Sequence, residues 1–160
     1  MMTEKSDLTL NVANYKLNVR ATAVIIHDGK VLIHHNKNDK HYVLIGGRVK
    51  IGEDSATTIK REIEEELGKE IKVEDYLATI ENFFEMNEKK FHEYMFVYKC
   101  DFADEKDKKI TYKLKNIEGE DEIEYVWIDL KDLDKYNILP ATVNKILKEK
   151  KYPIHVINKE

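Results

Sequence analysis

The stretch Gly46–Glu70, GGRVKIGEDSATTIKREIEEELGKE, constrains the fold more tightly than any other part of the chain. It reads as a loop feeding a helix. Asp54 or Ser55 can cap the helix N-terminus, and Gly68 stands where a helix usually stops. Ala56, Ile59, Ile63 and Leu67 recur at helical spacing, which gives the segment one apolar face to bury against a core. At ~100° per residue, Glu62, Glu65 and Glu66 fall within roughly 100° of one another on a neighbouring face. Three carboxylates so close repel one another. Two readings stand side by side: a solvated acidic face, which is what most glutamate runs are, or a site for a hard divalent cation, which prefers charged oxygen ligands.

The surrounding residues decide between them. Gly47, Glu53, Arg61, Glu62, Ile63, Glu65, Glu66 and Gly68 fit the pattern G-x5-E-x7-R-E-U-x-E-E-x-G-U, where U is a bulky apolar residue. Matching every fixed position by chance is on the order of a one-in-a-million event at ordinary residue frequencies. The segment resembles the Nudix box, the signature of the Nudix hydrolases. It departs at the last position, where Lys69 replaces an apolar residue, and at Ile45, where many members carry proline.

The resemblance implies an α+β fold, an αβα sandwich around a mixed β-sheet. It also implies hydrolysis of a diphosphate bond in a nucleoside diphosphate linked to another moiety, by water, with divalent cations bridging the phosphate oxygens. Mg²⁺ is the expected cofactor, with Mn²⁺ as a substitute. By position in the motif, Glu62, Glu65 and Glu66 are the expected metal ligands, and Gly46 or Gly47 would supply a backbone carbonyl. Glu53 is expected near or in the metal shell. Arg61 would hold Glu53 through a charge-assisted hydrogen bond. A general base is also needed, and a glutamate beyond the box is a frequent choice; Glu93 in KFHEYMF is the best placed, with an edge-strand charge as the alternative.

The rest of the chain reads as a single domain over residues 1–160, with residues 1–14 a loose arm or an edge strand. LNVRATAVIIH and KVLIHH flank Asp28-Gly29, a hairpin signal. HYVLI, IKVEDYLATIENFF, FHEYMFVYKCDF, ITYKL and EIEYVWIDL read as strands. Pro140 suits a first helical position, opening a helix over ATVNKILKEKK with Val143, Ile146 and Leu147 buried; YPIHVINKE is a tail or one more edge strand. EGEDEIE reads as a solvated acidic loop or strand edge, and Trp127 as core.

The net charge of −4 and the presence of only three arginines argue against nucleic acid as the main partner. The single cysteine, Cys100, excludes an internal disulfide, points to a reducing compartment and reads as a small core residue. The N-terminus lacks the apolar stretch of a signal peptide and no run reaches transmembrane length, so the expected location is the cytoplasm, with no membrane partner.

The expected partner is a small phosphorylated molecule, a nucleotide such as a nucleoside triphosphate, a nucleotide sugar or ADP-ribose. Tyr42, Phe83, Phe84 and Tyr94 could stack on a base, though core packing is the stronger reading of each. The alternatives are a non-nucleotide diphosphate or an RNA 5′ end as substrate, or a nucleotide sensor that cleaves nothing. Homodimerisation stays open.

Overall fold

Period-two alternation carries Tyr15–His27 (β2) into a long strand, with Ala21, Ala23 and Ile25 on one side and Thr22 and Val24 on the other. The computed structural model describes residues 6–38, 40–109, 112–115 and 122–160. Before β2 lies a short strand, Thr9–Val12 (β1), antiparallel to it, so part of the N-terminal arm is tied to the sheet. After β2, the turn at Asp28-Gly29 leads into Lys30–Asn36 (β3) and then Tyr42–Arg48 (β4). The helix Ser55–Leu67 (α1) follows, and then two long strands, Ile71–Met86 (β5) and Lys89–Phe102 (β6), pair antiparallel. The bend anticipated in the first of them corresponds to register shifts at Val73/Asp75 and Tyr76/Ala78.

Tyr112–Lys115 (β7), Glu122–Asp129 (β8) and Ile138–Leu139 (β9) precede the helix Thr142–Lys148 (α2) and the final strand Ile154–Lys159 (β10). Among the described residues the strand order is β10-β5-β6-β2-β4-β3-β8-β7, with β1 on β2 and β9 on β4. The pairs β2–β6, β5–β10 and β4–β9 are parallel and the others antiparallel, which makes the sheet mixed. The acidic residues 118–121 lie outside the described residues, while Glu122 and Glu124 belong to β8.

Each sheet face has its own core. On one, Ile59, Ile63 and Leu67 of α1 pack with Ala21, Ala23, Ile25, Leu32, Ile45, Cys100 and Phe102. On the other, Val143 and Ile146 of α2 pack with Val24, Ile80, Met95, Val97 and Val156. This is the αβα sandwich. Ile59 and Ile63 are both 0% exposed, and burying a side chain of that size stabilises by about 1.5–3 kcal/mol. Cys100 is a core residue, its thiol pushed up to about 12 chiefly by burial. Trp127 is half-buried against the same core.

The second helix is shorter than the sequence suggested. It begins at Thr142, after Ala141 at the cap and Pro140 before that, and stops at Lys148. Glu149 is extended, and Tyr152 folds back to donate its hydroxyl to the Ile146 carbonyl at 2.5 Å. Lys69, out of pattern for an apolar position, forms an ion pair at 3.0 Å with the buried Asp107. Among the described residues, no helix is long and apolar enough to cross a membrane.

Candidate active site

The helix α1 starts where local chemistry puts its start. Asp54 is the N-cap, with its carboxylate accepting from the Thr57 amide at 2.8 Å, and Gly68 closes the other end at φ 65°. That fixes the rotational setting of the helix. Ile59 and Ile63 turn inward, and Arg61, Glu62, Glu65 and Glu66 are left along the side that borders β4.

Arg61 is the hub of this border. Its Nε and one terminal nitrogen donate to the two oxygens of Glu53, each at 2.9 Å, a bidentate pair. The other terminal nitrogen donates to Glu62 at 2.9 Å and to Glu65 at 3.2 Å, and the guanidinium also reaches the Arg48 carbonyl at 3.1 Å. Thr58 donates its hydroxyl to Glu53 at 2.6 Å. These bonds, Arg61 first, hold the Glu53 carboxyl down at about 2, and Glu53 in turn raises the pKa of Arg61.

Glu62 and Glu66 are shifted the other way. Burial raises Glu62 despite its bond to Arg61. Burial, followed by the neighbouring charge of Glu62, pushes Glu66 up to about 7. Tyr125 of β8 donates its hydroxyl to Glu66 at 3.3 Å, and its own pKa is raised by burial and by the Glu66 charge.

The two glycines make the close approach possible. A Cβ on Gly47 would land on the carboxyl of Glu62, and one on Gly46 would land on the backbone oxygen of Ala21. Glu62 therefore lies flat against the backbone of β4.

The donor set fits a hard divalent cation: the carboxylate oxygens of Glu62, Glu65 and Glu66 on one helix, beside the peptide carbonyls of β4. Among the described residues no group of three or more His, Cys, Asp or Glu side chains is drawn together as an ion site. Glu62 and Glu65 instead turn to Arg61, and Glu53 has both oxygens engaged by it.

A cleft of about 320 Å³ lies on the sheet face that carries α2. Asn18, Arg20, Thr22, Arg48, Phe84 and Glu93 are among its lining residues. Arg48 joins it to the acid cluster, since it lines the cleft while its carbonyl accepts from Arg61; Arg20, also on the lining, lowers Glu62 and Glu66 only as a minor charge effect. Glu93 is 6% exposed and accepts a hydrogen bond at 3.0 Å from the Asn18 amide, and it makes no hydrogen bond or ion pair with the box acids among the described residues.

Of the four aromatic residues considered as base stackers, only Phe84 lines the cleft, with its ring stacked on Phe91 at 4.7 Å. Tyr42 stacks on His35, while Phe83 and Tyr94 flank His92. Sequence reasoning missed Tyr125, Asn18 and Arg20. For the last two a signal existed: Asn18, Arg20 and Thr22 alternate with Leu17, Val19 and Ala21 through an otherwise apolar strand. Nothing in the local sequence marks Tyr125.

The family model described as the NUDIX domain matches residues 17–149. Among curated proteins none matches the chain. Among solved structures, a UDP-X diphosphatase is 20% identical with a TM-score of 0.61, the match covering 87% of this chain and 66% of that one. A NUDIX hydrolase from Nitrosomonas europaea is 13% identical with a TM-score of 0.63, covering 89% and 79%. An ADP-ribose pyrophosphatase from Streptococcus suis is 11% identical with a TM-score of 0.56, covering 88% and 98%. At such identities the likeness concerns the fold.

Proposed function

This chain belongs to the Nudix family, and on that premise we propose that it hydrolyses a diphosphate bond in a nucleoside diphosphate linked to a further group, with Mg²⁺ as cation and Mn²⁺ as substitute. The carrying observation is the Glu62 carboxyl lying where a side chain at Gly47 would be, linked through Arg61 to Glu53 and Glu65. That arrangement sets an excess of negative charge beside a cleft that also holds Arg20 and Arg48. A substrate that is itself anionic needs both.

The residues divide the work. Glu62, Glu65, Glu66 and the carbonyl of Gly46 or Gly47 would hold a divalent cation, which supplies neutralisation of phosphate charge and a lowered pKa for water. Glu53, with both oxygens on Arg61, serves to position that guanidinium rather than to ligate. Arg61 keeps Glu62 and Glu65 apart from one another's charge and fixed to the β4 loop through the Arg48 carbonyl. Tyr125 orients Glu66. Arg20 and Arg48, which line the cleft, would take phosphate oxygens from that side.

Two structural neighbours, a UDP-X diphosphatase and an ADP-ribose pyrophosphatase, are named for nucleotide-linked substrates, which supports a soluble nucleotide over an RNA end. The formal charge of −4 weighs the same way. The lone buried Cys100 suits a reducing compartment such as the cytoplasm.

A hydrolysis screen tests this reading. Purified protein with Mg²⁺ or Mn²⁺ meets nucleoside triphosphates, nucleotide sugars, ADP-ribose, dinucleoside polyphosphates and capped RNA, and products are read by mass spectrometry. Turnover of at least one nucleotide, lost in Glu66→Gln, is expected. No product from any of them, in a folded protein, would replace the hydrolase by a nucleotide sensor.

A further inference from the structure

A single helix cannot cover the sheet face on which it packs. α1 has 13 residues and is about 20 Å long, whereas β6 has 14 residues and runs for about 46 Å. Ala21, Ala23 and Ile25 pack with the helix. Tyr15, Leu17 and Val19 precede them on the same side of β2 by alternation. Pairing carries that side outward with no shift of register in this region. Leu10, Leu17, His92, Phe83 and Lys159 form one row across β1, β2, β6, β5 and β10. Val12 and Tyr15 begin the row on one flank of it, and Tyr94 and Ile157 belong to the row on the other.

Burial stops where the helix stops. Ala21, Ala23 and Ile25 are 0% exposed, whereas Leu10, Val12, Tyr15 and Ile157 are 49–58% exposed. Phe83, His92 and Tyr94 stack in succession between them, with ring centroids 4.4 and 5.2 Å apart. A continuous apolar and aromatic patch of this kind marks a contact surface. The charges in the three rows cancel. Glu81 is bonded to His155 at 2.8 Å, and Glu85 is the register partner of Lys90, whose ammonium lies 5.4 Å from the centre of the Tyr15 ring. With Lys159 that makes two carboxylates and two ammonium groups. A face without net charge offers little to a nucleic acid or an anionic membrane. It meets its own copy without like-charge repulsion.

We propose that the part of this face beyond α1 is a homodimer interface, on which a second copy of the chain packs sheet against sheet about a twofold axis. Five strands at about 4.8 Å and three rows at about 6.6 Å span roughly 24 by 20 Å, so two copies bury on the order of 1,000 Å² in total, about the least that a specific interface needs. The axis runs across the strands. That setting lays β1 and β2 of one copy over β1 and β2 of the other, apolar on apolar, with the Phe83, His92 and Tyr94 rings meeting beside them. An axis along the strands would instead set Leu10 and Val12 against the Lys159 end of β10. The cleft lies on the opposite face of the sheet and stays open in this dimer.

Sedimentation velocity on the full chain tests this, whatever the chain hydrolyses. Wild type should pass from monomer to dimer over about a hundredfold range of concentration around the micromolar level, as an interface of that size allows. Leu10→Lys and Tyr15→Lys change exposed side chains, and thermal melts should show both variants folded. Each should raise the dimer Kd by about tenfold or more, because the axis brings the new charge against its own copy. Ile26→Lys, at an exposed position on the other side of β2, should leave the Kd unchanged. Monomer at every concentration would overturn the proposal, and co-sedimentation of that monomer with anionic-lipid vesicles would give the face to a membrane surface instead. A dimer indifferent to both Leu10→Lys and Tyr15→Lys, or one broken by Ile26→Lys, would place the contact elsewhere and overturn it as well.

Discussion

Gly46 and Gly47 are neighbours, yet a methyl group added to each meets a different obstacle. At Gly47 it meets the Glu62 carboxyl, the far end of a flexible side chain. At Gly46 it meets the Ala21 carbonyl, which is sheet backbone and cannot move aside. Gly47→Ala should therefore keep its melting temperature near that of wild type while kcat/KM falls by about a hundredfold, because Glu62 is displaced from its place. Gly46→Ala should lose about 1–3 kcal/mol of stability, the usual cost of overpacking. Thermal melts and steady-state kinetics on the pair check both halves. Glu53 adds a pH dependence at the same scale. Its carboxyl sits at about 2 against an ordinary 4.5, mainly through the Arg61 hydrogen bonds. A folded-state pKa below the unfolded one stabilises fully above the unfolded value, and that contribution fades as pH falls from 4.5 toward 2. Urea midpoints measured from pH 7 to pH 3 should fall less steeply for Glu53→Gln than for wild type.

The two helices differ in how much of each was legible. The limits of α1 were readable because Asp54 and Gly68 cap it through contacts with residues three or four positions away. Its buried face followed from the spacing of Ile59 and Ile63. The end of α2 was not readable, because the Ile146 carbonyl takes both the Glu149 amide at the cap and the hydroxyl of Tyr152 from beyond it, with no glycine to mark the stop. Site residues divide in the same way. Glu53, Arg61, Glu62, Glu65 and Glu66 share one loop and helix, so sequence spacing placed them together. Tyr125, which touches Glu66, comes from a strand far along the chain. The alternation of Asn18, Arg20 and Thr22 was visible in β2, but the face they share with Glu93 is fixed by parallel pairing with β6, which no local pattern encodes. Since α1 is anchored through a dry apolar face, Ile63→Ala should cost about 2–5 kcal/mol. A denaturant titration checks it, and a loss under 1 kcal/mol would mean that α1 is held chiefly by the Arg61 ion pairs.

The two helices pack on opposite faces of one sheet, and the acid cluster and the cleft meet at β4, where Arg48 gives its carbonyl to Arg61 and also lines the cleft. The buried polar residues Asn82, Glu93 and Asn158 depend instead on β5, β6 and the terminal strand β10. β10 pairs parallel to β5, sequence-distant and at the sheet's edge, and it contributes Val156 to the α2 core and Asn158 to Asn82. Deleting residues 154–160 should therefore act on one face more than on the other. It removes an apolar side chain from the α2 core and leaves the edge of β5 open to pairing with another chain. It also strips Asn82 of the amide that occupies its oxygen. The expected result is a lower melting temperature, concentration-dependent light scattering and, in whatever monomer can be purified, a raised KM with kcat largely retained, because α1 packs chiefly on β2 and β4, which β10 does not pair with. Loss of kcat equal to the rise in KM would show that the two faces are mechanically coupled, and Arg20, whose charge reaches from the cleft to Glu62 and Glu66, would then be the residue to test as the link.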